Sequence, residues 1–138
     1  MARIGEMIKN PTLWQILNRA AAEQQWFKDR MAELGHETHT MLWNDLTIAD
    51  YYGTKAITDT YNKVLKAAKS YNAEKKRYVY DEKVVAELYV VLNWKIHTFY
   101  SINDTLARHY NDLWDKCHEF ATSKLKGEQL TYFYRTTD

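Results

Sequence analysis

Proline and glycine are nearly missing from this chain, which has one proline (Pro11) and four glycines in 138 residues. Both residues interrupt helices and build the turns of sheets. Their scarcity, with apolar residues recurring at helical spacing, excludes a turn-rich β-sandwich or barrel and predicts an all-α fold. The lone cysteine, Cys117, cannot close an intrachain disulfide, which excludes a stapled secreted scaffold and fits a reducing compartment. No run approaches about 18 apolar residues, so no membrane span is expected. Met1–Asn10 holds no apolar stretch of signal-peptide length. These absences together predict a cytoplasmic protein. Nor is there an excess of charge of one sign: 19 basic and 18 acidic residues leave +1. That balance disfavours both acidic DNA mimics and strongly basic nucleic-acid binders.

Aromatics are abundant, with eleven tyrosines and five tryptophans. Rings dominate core and interface energetics, and Tyr and Trp keep a polar handle for a wet edge. They read first as core, and second as the lining of an interface. The length fits one domain, residues 1–138, with 1–9 expected to be a flexible N-terminus ahead of the first helical pattern.

Periodicity predicts an antiparallel bundle of four main helices, at about 11–34, 55–72, 81–100 and 104–126. Asn10-Pro11 suits the start of the first and Gly35 its stop. Residues His36–Asp45 read as a polar connector with Met41, Leu42 and Trp43 as an apolar plug. Short extra helices are expected near 47–52 and 128–134. The third helix is the most apolar, through Val84, Val85, Leu88, Val91, Leu92, Ile96 and Phe99. The stretch Glu74–Tyr80 reads as a charged loop, although Tyr78-Val79-Tyr80 also has β preference.

Catalytic signatures are weak. Glu33-Leu34-Gly35-His36 and Asp115-Lys116-Cys117-His118 place a carboxylate and a histidine three apart, the spacing of di-metal sites in bundles. Glu87 and Asp59 are the further carboxylates such a site would need. Gly35 breaks the first pair, however, and Asp replaces Glu in the second. His36, His118 and Asp115 therefore stand only as the weak metal candidates, and solvated polar residues explain both pairs more simply. His39, His97 and His109 fit solvated or hydrogen-bonded side chains. Cys117 lies on the apolar stripe, where a thiol is inert, and His118 next to it diverges by about 100° around the helix. Neither a catalytic residue nor a cofactor is expected.

Leu46–Tyr61 has the small-residue spacing of a helix-turn-helix through Ala49 and Gly53, with Thr54–Lys63 in the recognition position. Asp59 on that helix would repel phosphate, and a basic footprint is lacking there. The clearest charge feature follows it. Lys63, Lys66, Lys69, Lys75, Lys76 and Arg77 face only Glu74, so residues 63–77 carry +5 and the rest of the chain −4. The plain reading is a solvated helix face. The functional reading is a partner-binding strip made of these six cations with Tyr71, Tyr78 and Tyr80, able to grip an acidic surface or a single strand.

At Leu92-Asn93-Trp94-Lys95, at Tyr110-Asn111-Asp112-Leu113-Trp114 and along the ending from Leu125 to Asp138, the chain resembles a group of short, uncharacterised proteins of gut bacteria and their phages or other mobile elements. The resemblance implies a bacterial or phage origin and transfers no activity. Small mobile-element proteins commonly bind a host protein, some of them inhibiting defence nucleases. The combined expectation is a non-enzymatic module with a protein partner, inhibiting or adapting a nucleic-acid-handling (defence) protein. A metal-dependent bundle enzyme and direct nucleic-acid binding through the basic face are the alternatives. No membrane partner is expected, and a homodimer stays open.

Overall fold

The computed structural model describes residues 25, 28–30, 32, 33, 41–100 and 102–137. The described residues between 25 and 33 are helical. The rest of the expected first helix, the 1–9 terminus, Trp14, Trp26, His36 and His39 lie outside the described residues. Helix accounts for 80% of what is described, so the chain is mostly helical. A two-stranded antiparallel sheet corrects the all-α expectation. The four-helix antiparallel bundle is not established among the described residues.

Helix α1 spans Met41–Ala49 and runs into one 3-10 turn at Asp50–Tyr52. The polar connector expected to reach Asp45 is thus helical from residue 41 onward. The reason is burial: Leu42 and Leu46, four residues apart, both enter the core, and Trp43 meets Trp94 edge-on at 4.1 Å. Gly53 (φ 89°, ψ −177°) then turns the chain in a conformation open essentially to glycine.

Helix α2, Thr54–Ala68, buries Ile57, Tyr61 and Ala68 and leaves its charged face in solvent. It ends four residues before the expected Asn72, because Lys69 is already extended. Strands β1, Lys69–Asn72, and β2, Arg77–Tyr80, form a hairpin. Its register pairs Lys69 with Tyr80, Ser70 with Val79, Tyr71 with Tyr78 and Asn72 with Arg77. The expected loop over 74–80 is therefore half wrong. The β preference of Tyr-Val-Tyr prevails once a second tyrosine-bearing segment lies opposite it. The turn between the strands is closed by Asn72, whose Oδ1 accepts from the Lys75 N–H at 3.0 Å. Lys76 takes a left-handed φ of 52°.

Helix α3, Glu82–Phe99, starts at Asp81, whose carboxylate accepts from the N–H groups of Lys83 and Val84. Val85–Leu88, Val90–Leu92, Trp94 and Lys95 are all buried, making it the most enclosed element. Helix α4, Asp104–Lys124, is capped by Asn103 and contributes Ala107, Tyr110, Leu113, Cys117 and Ala121 to the core. Helix α5 covers Glu128–Thr137, three residues longer than expected, and docks by a fully buried Phe133. Gly127, at φ 57°, makes the turn between α4 and α5. Among the described residues, no helix is long and apolar enough to cross a membrane.

Candidate functional site: a basic, aromatic hairpin and its flanking cleft

The hairpin gathers most of the basic strip onto one exposed structure. Strand alternation places Lys69, Tyr71, Tyr78 and Tyr80 on one face, and Ser70, Asn72, Arg77 and Val79 on the other. Tyr71 and Tyr78, both more than half exposed, meet edge-to-face with ring centroids 5.3 Å apart. The Lys69 ammonium lies 4.3 Å from the centre of the Tyr78 ring, a cation–π contact that fixes the ring while keeping the charge in water. Lys63 and Lys66 extend the same charge along the exposed side of α2.

Tyr80 does not belong with the exposed rings. It is half-buried, with its ring 4.9 Å from that of Phe120 in a T-shaped contact. The twist of the hairpin carries its inner end into the core, so Tyr80 anchors the device and leaves Tyr71 and Tyr78 to project.

The tertiary structure adds two cations to this surface. A cleft of about 270 Å³ separates β2 from the α4–α5 connection, with Lys75, Arg77, Tyr78 and Val79 on one wall and Lys124 and Lys126 on the other. Glu128 and Gln129 complete it. None of Lys63, Lys66, Lys69, Lys75, Lys76, Arg77, Lys124 or Lys126 lies in an ion pair among the described residues. Their charge faces outward rather than being spent on the fold.

Among the described residues the β2 edge beside the cleft is also open. The Asp81 N–H donates to the Ala68 carbonyl at 2.9 Å, which makes that position hydrogen-bonded in the antiparallel ladder. By alternation the 70/79 and 72/77 pairs are bonded, whereas the amides and carbonyls of Tyr78 and Tyr80 point away from β1. The Tyr80 carbonyl is taken by the Gln129 side-chain amide at 2.8 Å. The N–H and C=O of Tyr78 face the cleft.

A second cluster is buried and polar. The Lys95 ammonium, on α3, lies 2.8 Å from the Asp50 carboxylate and 3.1 Å from Thr47 Oγ1, and sits 4.1 Å over the Trp43 ring. The Tyr110 hydroxyl donates a short hydrogen bond to the other Asp50 oxygen. Desolvation pulls the Lys95 pKa below its ordinary value, opposed by the attraction and hydrogen bond of Asp50. Burial first, then Asp50, pushes the Tyr110 phenol upward. The ammonium's donors are already directed at Asp50 and Thr47, and the cluster fastens α1, the 3-10 turn, α3 and α4 to one another.

Among the described residues the metal candidates do not gather into one site. Asp115 and His118 are exposed on α4, and the His118 ring rests against Trp114 and Phe133, each with centroids 6.3 Å away. Asp59 is exposed and held by Lys55 at 3.1 Å, whereas Glu87 is buried on α3. His36 lies outside the described residues. Among the described residues no three His, Cys, Asp or Glu side chains gather as a metal would require.

The Cys117 thiol is buried and pushed by desolvation up to about 12, far from a reactive thiolate. His109 Nε2 lies 3.0 Å from the Thr58 hydroxyl, which donates its own proton to the Thr54 carbonyl. The imidazole Nε2–H is therefore the donor in that contact. In the helix-turn-helix segment, the Lys55–Asp59 pair occupies the exposed face of the would-be recognition helix.

A larger cleft of about 480 Å³ lies between α3 and α4, near Ile96, Tyr100, Ala107 and Asn111. Its one cation, Arg108, is engaged by Asp104 at 2.8 Å. Comparisons with protein-family models, curated proteins and solved structures find no match to this chain.

Sequence reasoning found the cations of α2 and the hairpin because they are contiguous in the chain. It missed Lys124 and Lys126, which lie about fifty residues on. The signal available for the buried cluster was a lysine inside the most apolar helix, Lys95 between Trp94 and Ile96.

Proposed function

We propose that this protein is a non-enzymatic, cytoplasmic binding module of bacterial or phage/mobile-element origin that holds an acidic partner protein against its hairpin. In this reading it inhibits or adapts a nucleic-acid-handling (defence) protein by occupying that protein's charged working surface. The scaffold behind the hairpin is a single domain, an antiparallel bundle in which 11–34 is the fourth long helix. The observation that carries the reading is the pair of projecting rings, Tyr71 and Tyr78, bracketed by cations that no carboxylate neutralises among the described residues. Complementary charge steers encounter, and exposed tyrosines supply rigid contact area once the partner arrives.

The test is capture from a bacterial lysate, with and without nuclease, by the wild type and by the triple variant Lys66→Glu, Lys69→Glu, Lys76→Glu. The reading expects one protein retained after nuclease and lost with the variant, whose circular dichroism and melting stay unchanged. Equal capture by both proteins overturns it.

One observation favours a second reading. Two exposed rings with flanking lysines resemble the stacking platforms that hold single-stranded nucleic acid without sequence preference. Binding of an oligothymidylate that weakens steeply with salt would support it. Absence of binding at low salt would remove it.

A further inference from the structure

We infer that the cleft between β2 and the α4–α5 connection is a docking groove for an extended acidic peptide segment, which adds to β2 as a third strand. The inference rests on the reading of the hairpin as an anionic-partner surface and names how that partner is held.

Three independent observations meet in the groove. Its floor is a strand edge that no described residue pairs with, because the Tyr78 N–H and C=O point away from β1. Such an edge is the standard acceptor for strand addition, in which main-chain hydrogen bonds supply affinity. Its walls come from two distant segments and carry four cations, Lys75, Arg77, Lys124 and Lys126, against the single acid Glu128. Charge complementarity therefore selects an acidic occupant. Its inner end is closed, since Gln129 has already taken the Tyr80 carbonyl at 2.8 Å. A strand entering from the hairpin tip would pair with Tyr78 and stop there.

The cations also oppose pairing of this edge with a second copy of itself. Two β2 edges brought together would set Lys75 and Arg77 of one copy beside those of the other, and like charges on edge strands block that association. The same guards that repel a copy attract a segment of opposite sign. A neutral or basic strand gains the same backbone bonds without the charge, so charge rather than shape sets the selectivity.

The experiment uses the full chain and a fluorescein-labelled eight-residue peptide of alternating glutamate and threonine. Its arms are a version N-methylated at alternate residues and an oligothymidylate of eight nucleotides. Binding is read by anisotropy at low salt, and the Tyr78 amide is followed by hydrogen exchange.

The expected result is saturable binding of the plain peptide and at least tenfold slower exchange at Tyr78. The methylated peptide, of equal charge, should bind at least tenfold more weakly. Lys124→Glu with Lys126→Glu, both exposed and outside the core, should abolish binding while the melt is retained. Equal binding of both peptides with Tyr78 unprotected overturns strand addition and leaves the anionic-surface reading standing. Binding of the oligothymidylate alone overturns the acidic strand and favours nucleic acid. Binding of neither overturns the groove, and the lysate comparison then decides separately whether the hairpin face holds a partner.

Discussion

Lys95 and Asp50, forty-five residues apart, form a buried ion pair at 2.8 Å, and the lysine is almost wholly enclosed. Removing one partner of a buried pair strands the other charge and costs about 3–5 kcal/mol, whereas replacing both partners together by well-packed apolar groups is often near neutral. Both Asp50→Asn and Lys95→Met strand a charge, but the lysine is the more enclosed of the two and Asp50 keeps the Tyr110 hydroxyl as donor. Asp50→Asn should therefore destabilise more, as read from urea midpoints at pH 7. The depressed Lys95 pKa adds a pH signature. Between that folded value and the ordinary 10.5, the unfolded chain holds the extra proton, so this lysine makes stability rise with pH. Asp50→Asn removes the attraction that limits the depression. Its deficit should shrink as pH rises toward 10.5.

Cys117 predicts the opposite slope. Its thiol moves from 9.0 unfolded to about 12 folded, so its contribution is fully present below pH 9 and is lost as pH rises toward 12. Tyr61 and Tyr110, both raised chiefly by burial, act in the same sense above pH 10. Above pH 10.5, where the lysine no longer contributes, these three act unopposed and urea midpoints should fall steadily. A thiol reagent should label Cys117 only under unfolding conditions. Fast labelling of the native protein at pH 8 would contradict its burial.

Among the described residues two glycines have positive φ, and they should respond unequally to alanine. Neither substitution creates a clash, since an added Cβ would meet no atom within 4 Å at Gly53 or Gly127. The cost is then backbone strain alone. Gly127 occupies the left-handed helical region, which costs other residues about 1–2 kcal/mol. Gly53, with ψ near 180°, sits where almost only glycine is found, at a cost of up to about 3 kcal/mol. Denaturation of Gly53→Ala and Gly127→Ala should rank them in that order.

Tyr71→Ala and Tyr78→Ala should separate fold from function. The edge-to-face pair is worth about 0.5–1.5 kcal/mol beyond its buried area, so each change should lower the melting temperature only slightly. Partner capture should fall by tenfold or more, because exposed rings at an interface centre carry much of its energy. Tyr80→Ala should do the reverse in kind, loosening the hairpin from Phe120 and costing stability first.

Much of the scaffold was legible because its signals are local. Asp81 and Asn103 cap the helices that follow them, and the spacing of Val85, Leu88 and Leu92 marks the buried side of α3. The hairpin was only half legible. Tyr78-Val79-Tyr80 announced β preference, but Lys69–Asn72 continued a helical pattern until its pairing with β2 overrode it. The basic strip was legible as charge and not as shape. Tyr80 looked equivalent to Tyr71 and Tyr78, and only contact with Phe120 distinguishes it.

Local spacing settled a mostly helical chain, the starts of the four helices from α2 to α5 to within one residue, the enclosed α3 and the concentration of charge in residues 63–77. Each depends on neighbours within one or two helical turns, where residue spacing maps directly onto direction. Only packing decided that Lys124 and Lys126 face Lys75 and Arg77 across a cleft, that Lys95 meets Asp50, and that no described residue pairs with the outer edge of β2. The first two join residues more than forty positions apart. They arise from how α3, α4 and α5 bury their apolar faces together, and no local spacing encodes that packing.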